Sequence, residues 1–185
     1  MNLEQFNLTY FPQEDRILFR IGFSATPPET QKQEIKIIFT RRLVKLLWPT
    51  LIEALITQIR IDRPEAALAS HDLVQIEHRH SVEHIAANGQ FTQAYDAKNR
   101  SSPLGDEALL LDSVKFHLDA KQAIGMQLIT LTGTSIDLKL PIELMHGFCK
   151  LLQEAVKAAQ WDLELTSLET ELSADCNRIT SHSLH

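Results

Sequence analysis

The segment from His80 to His84 has the spacing H-x-x-E-H, which is the signature of inverted zinc metalloproteases. On a helix, the two histidines lie on one face, where they could bind Zn²⁺ while Glu83 serves as the base of a metal-dependent hydrolase. A catalytic zinc also needs a third protein ligand, and the sequence identifies none. The alternatives are adventitious metal binding and a structural histidine cluster, the latter because Leu73 and Ile76 share the helical stripe of His80 and His84. The sequence predicts no bound cofactor.

Basic residues of the first third of the chain form the second candidate site. Arg16 and Arg20 share one face of a predicted strand, and Lys36 lies on the corresponding face of the next strand. If the strands pair, Leu18 and Ile38 lie among these charges, a mixture suited to contacting the backbone and bases of single-stranded nucleic acid. The alternative is a solvated sheet face whose charges prevent edge aggregation. The predicted binding residues are Arg16, Arg20, Lys36, Arg41, Arg42 and Lys45.

Arg41, Arg42 and Lys45 begin a predicted helix, where positive charge opposes the helix dipole and therefore indicates a contact. The acidic charge of the rest of the chain argues against nonspecific nucleic-acid binding. Residues 1 to 60 carry 8 Lys and Arg against 6 Asp and Glu, whereas residues 61 to 185 carry 10 against 18. A polyanion that approaches the basic residues therefore also meets an acidic remainder.

Hydrophobic periodicity predicts the elements that position these residues. Period-two alternation predicts strands at 6–10, 14–24 and 35–39, and the first two form a hairpin. Apolar residues at four-residue steps then predict a helix that Thr40 caps and Pro49 bends. The remaining predictions are a helix at 64–87, a polar loop at 89–105, strands at 108–118, 124–131 and 135–140, a helix at 141–159 and a short strand at 161–165.

An internal similarity appears when the sequence is shifted by 101 residues. Residues 34–55 then fall on residues 135–156 without a gap, so that Ile35 matches Ile136 and Leu51 matches Leu152. The alternative is that any amphipathic strand followed by an amphipathic helix gives this pattern. We predict an α+β fold of two β-β-β-α repeats, in which antiparallel sheets are braced by long helices and related by pseudo-two-fold symmetry.

The predicted organisation has four parts. Residues 1–60 form the first repeat, 61–105 a helical insertion and loop, 106–170 the second repeat, and 171–185 a mobile polar tail. With 44% hydrophobic and 23% charged residues, the 185-residue chain matches a globular protein and excludes a collagen-like or wholly disordered one.

Cys149 and Cys176 are the two cysteines, and they form neither a disulfide framework nor a zinc finger. Cys149 lies in a helical pattern and is interpreted as a small buried residue. The sequence has no signal-peptide pattern and no run of 18 apolar residues, so we expect a soluble cytoplasmic protein that does not bind membranes.

The second repeat resembles a known family. The run KFHLDAKQ at residues 115–122, then MQLITL, then SIDLKLP leading into the helix ELMHGFCKLLQEAV, resembles one PUR repeat, and Whirly proteins have a similar architecture. The resemblance covers about 45 residues well. It implies a sheet that binds single-stranded nucleic acid, but it carries over no individual binding residue.

These observations leave three functional predictions. The leading one is a non-catalytic binding or assembly module that recognises a protein partner or a second copy of itself. The second is a single-stranded DNA- or RNA-binding protein of PUR-like or Whirly-like architecture. The third is the metal-dependent hydrolase.

Overall fold

The computed structural model describes residues 2–25, 31–89, 91, 93–98, 100–165 and 168. These residues form an α+β fold in which seven strands make one mostly antiparallel sheet. Its elements, in chain order, are β1 (Asn2–Phe11), β2 (Arg16–Ser24), β3 (Lys32–Phe39), α1 (Arg41–Asp62), a 3₁₀ helix (Pro64–Ala69), α2 (Ser70–Ala87), β4 (Arg100–Ser101), β5 (Leu109–His117), β6 (Ile124–Thr130), β7 (Ser135–Leu140) and α3 (Ile142–Ala158).

The sheet has the strand order β1-β2-β3-β5-β6-β7, with the short β4 also beside β3. Neighbouring strands are antiparallel except that β3 pairs in parallel with β4 and β5. A parallel pair requires a long crossover, which α1 and α2 supply here. The order β-β-β-α occurs from β1 to α1 and again from β5 to α3. The pseudo-two-fold relation between these two units stays a prediction. The boundaries of the four predicted parts of the chain also stay predictions.

The helices cover one face of the sheet, which we call the inner face. Its side chains include Ile17, Phe19 and Ile37, all buried, and the ring of Phe148 on α3 packs against Phe19 and Phe39 with centroids 5.3 and 6.4 Å apart. α1 contacts β5, whereas α3 contacts β1. Each long helix therefore also packs on a strand of the other β-β-β-α unit, and one hydrophobic core joins the two units.

Capping residues and some of the prolines that are visible in the sequence lie at or near the helix boundaries. The hydroxyl of Thr40 accepts a hydrogen bond from the backbone N–H of Leu43 at 3.2 Å, so Thr40 is the N-cap of α1 as predicted. Pro49 lies inside α1, which continues past it to Asp62. The predicted helix at 64–87 is divided into the 3₁₀ helix and α2.

Two sequence predictions differ from the structure, and a third concerns residues that the structure does not describe. The short strand predicted at 161–165 is wrong, because Leu163 and Leu165 donate backbone hydrogen bonds to carbonyls only two residues earlier and pair with none of the seven strands that the structure describes. The loop predicted at 89–105 contains the two-residue strand β4. The predicted mobile tail at 171–185 lies outside the described residues.

Within the described part of the chain, no helix has the length and apolar character needed to cross a membrane.

Candidate functional site

The cationic residues predicted on β2 and β3 share the face of the sheet opposite the helices, which we call the outer face. Arg20 lies directly opposite Lys36 across the β2–β3 pair, and Asn7 of β1 lies opposite Arg20 on its other side. Arg16 lies opposite Phe11, whose side chain is 44% exposed. The strand register therefore brings Arg20 and Lys36 together, as the periodicity predicted.

An aliphatic row runs between these cationic positions across three strands. Leu18 of β2 lies opposite Ile38 of β3, and Ile38 lies opposite Leu110 of β5. All three side chains are half-buried, and they do not belong to the hydrophobic core that the described residues form. The row of Leu18, Ile38 and Leu110, called the aliphatic row below, is therefore apolar surface on the face that the helices leave uncovered.

Each outer-face cation also contacts the protein itself. The Arg16 guanidinium lies 3.5 Å from the Glu14 carboxylate, and the Lys36 ammonium lies 3.5 Å from the buried Glu34 carboxylate. Lys36 also donates a hydrogen bond to the backbone carbonyl of Asp106 at 3.3 Å. The exposed pair of Arg16 contributes little to stability. These contacts partly neutralise the positive charge of the outer face.

Arg41, Arg42 and Lys45 lie in the first turns of α1 and are exposed. Arg41 donates a hydrogen bond to the carbonyl of Asp162 at 3.4 Å. Because α1 packs on the inner face, the structure places these three residues on the helical side of the sheet and not in the row of Arg20 and Lys36.

The segment after α2 covers part of the outer face with Tyr95 and Arg100, which sequence reasoning did not assign to a site. The guanidinium groups of Arg20 and Arg100 lie 5.8 and 5.5 Å from the centroid of the Tyr95 ring, within cation–π distance. Burial, and then the neighbouring Glu34 carboxylate, raise the pKa of Tyr95, so its phenol stays protonated. The sequence feature that could have indicated this site was the aromatic residue Tyr95 in a loop that was predicted to be polar.

Arg100 is a buried cation that joins β1, β2 and β3. Its side chain is 1% exposed and donates hydrogen bonds to the carboxylate of Glu4 at 3.1 Å and to the carbonyls of Phe23 and Gln33 at 3.4 and 3.2 Å. Gly22 permits this approach, because a Cβ at that position would lie 2.7 Å from a guanidinium nitrogen. The buried charge is thus satisfied by acceptors on all three strands.

The predicted metal residues His80, Glu83 and His84 are exposed on α2. His84 hydrogen-bonds through Nδ1 to the carboxylate of Glu143 on α3. His80, His84 and Glu143 line an open groove of about 610 Å³ between the three helices, and Glu83 is not among its lining residues. Across the described ranges, no group of three or more His, Cys, Asp or Glu side chains could hold a metal ion. The hydrolase stays a prediction.

A different histidine pair is buried between α2 and α3. His78 and His146 are both fully buried, and their Nδ1 atoms lie 3.4 Å apart. One ring therefore donates and the other accepts, which requires at least one neutral imidazole. Burial, and then the charge of His78, lower the pKa of His146 to about 3. The sequence placed His78 on a stripe with Val74 and Ile85, which are buried, but it gave no sign of its partner on α3.

The comparisons with known proteins identify no relative: no protein family, no curated protein and no solved structure matches the chain.

Proposed function

We propose that the protein is a non-catalytic binding module that recognises a protein partner with the outer face of its sheet. The observation that carries this proposal is the aliphatic row, which lies in register across three strands and is bordered by Arg20 and Lys36 on one side and by Arg16 on the other. A partner that fits this surface presents aliphatic side chains with carboxylates beside them. Apolar centres with charged borders are typical of protein interfaces.

Two features favour a protein partner over a nucleic acid. The row consists of leucine and isoleucine, whereas binding of single strands uses aromatic side chains on which bases stack. In addition, Arg16 and Lys36 each contact a carboxylate of the chain itself, so a polyanion would have to compete with Glu14 and Glu34. The aliphatic part of a protein partner packs on the aliphatic row without breaking these ion pairs, and only its bordering carboxylates would compete with Glu14 and Glu34.

Single-stranded nucleic acid is the second candidate, and one observation supports it. Arg20 and Lys36 are direct cross-strand neighbours, and the exposed ring of Phe11 lies beside Arg16 on the same face. Two adjacent cations and one aromatic ring could contact a phosphate backbone and a base. This candidate uses the same face of the sheet, so one set of variants can separate the two ligand classes.

The protein-partner proposal is tested by placing a charge in the aliphatic row. In Ile38→Glu, a carboxylate enters the row, and we expect affinity for the partner to fall by about ten-fold or more because an unpaired charge is buried on binding. The matched control is Leu46→Glu on α1, whose native side chain is 61% exposed on the helical side. Both variants are first checked for an unchanged thermal midpoint, so that loss of binding is not loss of folding.

The partner is identified by capture from a lysate of the source cells with the wild-type chain, and it is then purified and titrated by calorimetry against all three proteins. The proposal expects tight binding to the wild type and to Leu46→Glu and weak binding to Ile38→Glu. Equal affinity of every captured protein for Ile38→Glu and the wild type would refute it.

The nucleic-acid candidate is tested by titrating a labelled single-stranded oligonucleotide at about 50 and about 150 mM salt. Each phosphate contact should contribute roughly 0.7 to the slope of log affinity against log salt. We expect weak binding. Submicromolar binding at about 150 mM salt that disappears in a folded Arg16, Arg20 and Lys36 triple alanine variant would replace the protein-partner proposal with the nucleic-acid one.

A further inference from the structure

A cavity of about 260 Å³ lies at the free edge of β1, away from the aliphatic row. β1 is an edge strand whose neighbour in the sheet is β2. Residues 3–7 of this strand form one wall, α3 forms a second wall, and Phe91, Gln93 and Tyr95 close the cavity from the segment after α2. The segment therefore covers a strand edge without filling the space beside it.

The helical side of the cavity is apolar. Phe6 of β1, Ile85 of α2, and Leu144 and Leu151 of α3 all line it. Gly147 of α3 also lines it, and a Cβ at that position would lie 3.0 Å from the Cδ1 atom of Ile85. The absence of a side chain at Gly147 allows α2 and α3 to pack closely and leaves space next to β1. This end fits an aromatic ring or a branched alkyl group.

The opposite side offers uncharged hydrogen-bonding groups. Gln5, Asn7 and Gln93 lie in the lining; the amides of Gln5 and Asn7 already bond within the chain, whereas Gln93 is exposed. The hydroxyl of Tyr95 is buried beside the Glu34 carboxylate, which does not line the cavity, so this hydroxyl is not available to a ligand. An edge strand also presents backbone N–H and C=O groups on the side that faces away from its neighbour. A ligand whose polar group bonds to Gln93 and to this strand edge keeps its hydrogen bonds when it enters the cavity.

The charges around the cavity exclude an ionised ligand. Apart from the phenol of Tyr95, Glu4 is the ionisable residue in the lining, and its carboxylate is already bonded to Arg100 and to Lys32 at 3.1 and 2.5 Å. Because Arg100 is 1% exposed and points at Glu4 and backbone carbonyls, it has no free side for an anion. A charged group in the cavity would therefore lose its hydration without gaining a counter-ion.

We propose that this cavity binds a small uncharged molecule that joins an aromatic or branched alkyl group to an amide or hydroxyl group. Its volume is that of about nine water molecules, and it is slightly smaller than the sites of drug-sized ligands. The apolar group lies against Phe6, Ile85 and Leu151, and the polar group bonds to Gln93 and the edge of β1. The inference is independent of the protein-partner surface, because none of the aliphatic-row residues lines the cavity.

The test uses four probes of nearly equal shape, which are benzamide, benzoate, benzylammonium and toluene. Binding is followed by chemical-shift changes of the methyl groups of Ile85, Leu144 and Leu151 in the full chain. We expect benzamide to bind with millimolar affinity, and benzoate and benzylammonium to bind about ten-fold more weakly or not at all, because each would bury an unpaired charge. Equal binding of a charged probe, or shift changes confined to other residues, would overturn the proposal.

Two variants separate the polar and apolar contacts. Gln93→Leu removes the side-chain amide and keeps a side chain of similar size, so benzamide affinity should fall by about five-fold while toluene affinity stays unchanged. Leu151→Trp fills the apolar end and should abolish binding of both probes, whereas the matched variant Leu68→Trp, at a fully exposed position, should leave both unchanged. If Leu151→Trp fails to fold, the Gln93→Leu comparison decides. Unchanged benzamide affinity in Gln93→Leu would overturn the proposed polar contact.

Discussion

The buried pair of His78 and His146 predicts that acid weakens the packing of α2 on α3. In the folded protein the pKa of His146 is about 3, whereas an unperturbed histidine has a pKa of 6.5. Above pH 6.5 both the folded and the unfolded states hold a neutral imidazole, so His146 causes no pH dependence there. Between pH 6.5 and 3 the unfolded state binds the proton preferentially, and stability falls as the pH falls.

The size of this effect follows from the difference between the two pKa values. One pKa unit corresponds to about 1.36 kcal/mol, so lowering the pH from 7 to 5 should cost about 2 kcal/mol through His146 alone. A domain has a total stability of about 5 to 15 kcal/mol, so this loss is large enough to measure. The loss should reach a larger value at pH 4, where the folded state still holds His146 neutral.

Urea unfolding at pH 7 and pH 5 tests this reasoning. In His146→Gln the titrating group is removed, and we expect the loss of stability between the two pH values to be smaller than in the wild type by about 2 kcal/mol. The control is His71→Gln, which removes an exposed histidine from α2 and should keep the wild-type pH dependence. Parallel pH profiles of His146→Gln and the wild type would refute the assignment, as would ¹⁵N shifts showing His146 protonated at pH 5.

Two further predictions concern other buried groups. Arg100→Met removes the donor of four hydrogen bonds, to the Glu4 carboxylate and to the carbonyls of Phe23, Gln33 and Asp96, so the free energy of unfolding in urea should fall by about 3 kcal/mol. A change of less than about 1 kcal/mol would contradict the role of Arg100 as a buried cross-link. Cys149 is buried, and burial raises the pKa of its thiol. In a Cys176→Ser background, Cys149 should therefore react with a disulfide reagent only as fast as the protein unfolds. Rapid modification under native conditions would show instead that the thiol is accessible.

The order of the elements could be predicted because it depends on local patterns. Alternation on β2 and β3 and four-residue spacing on α1 each require one face to be apolar, and this requirement is visible within a single segment. The same periodicity placed Arg20 and Lys36 on one face before any pairing was known. Their cross-strand contact follows once the two strands pair in the register that buries Phe19 and Ile37.

The segment at 161–165 shows where a local pattern is insufficient. Trp161, Leu163 and Leu165 alternate with charged residues as a strand would, but a strand forms only where a neighbouring edge accepts its hydrogen bonds. Here Trp161 is buried and donates from its indole nitrogen to Asp15 at 2.7 Å, while its neighbours bond locally. The alternation therefore reflects burial of one side without a β-ladder.

The contacts that define the candidate sites were decided by tertiary structure. Parallel pairing of β3 with β5 extends the aliphatic row to Leu110, and packing of α2 on α3 brings His146 to within bonding distance of His78. Arg100 comes to lie on Glu4 although 95 residues separate them in the chain. The sequence by itself determined which faces are apolar, since that depends on each segment's own spacing. It did not determine these pairs, because long-range contacts depend on which buried faces meet when the whole chain folds around one core.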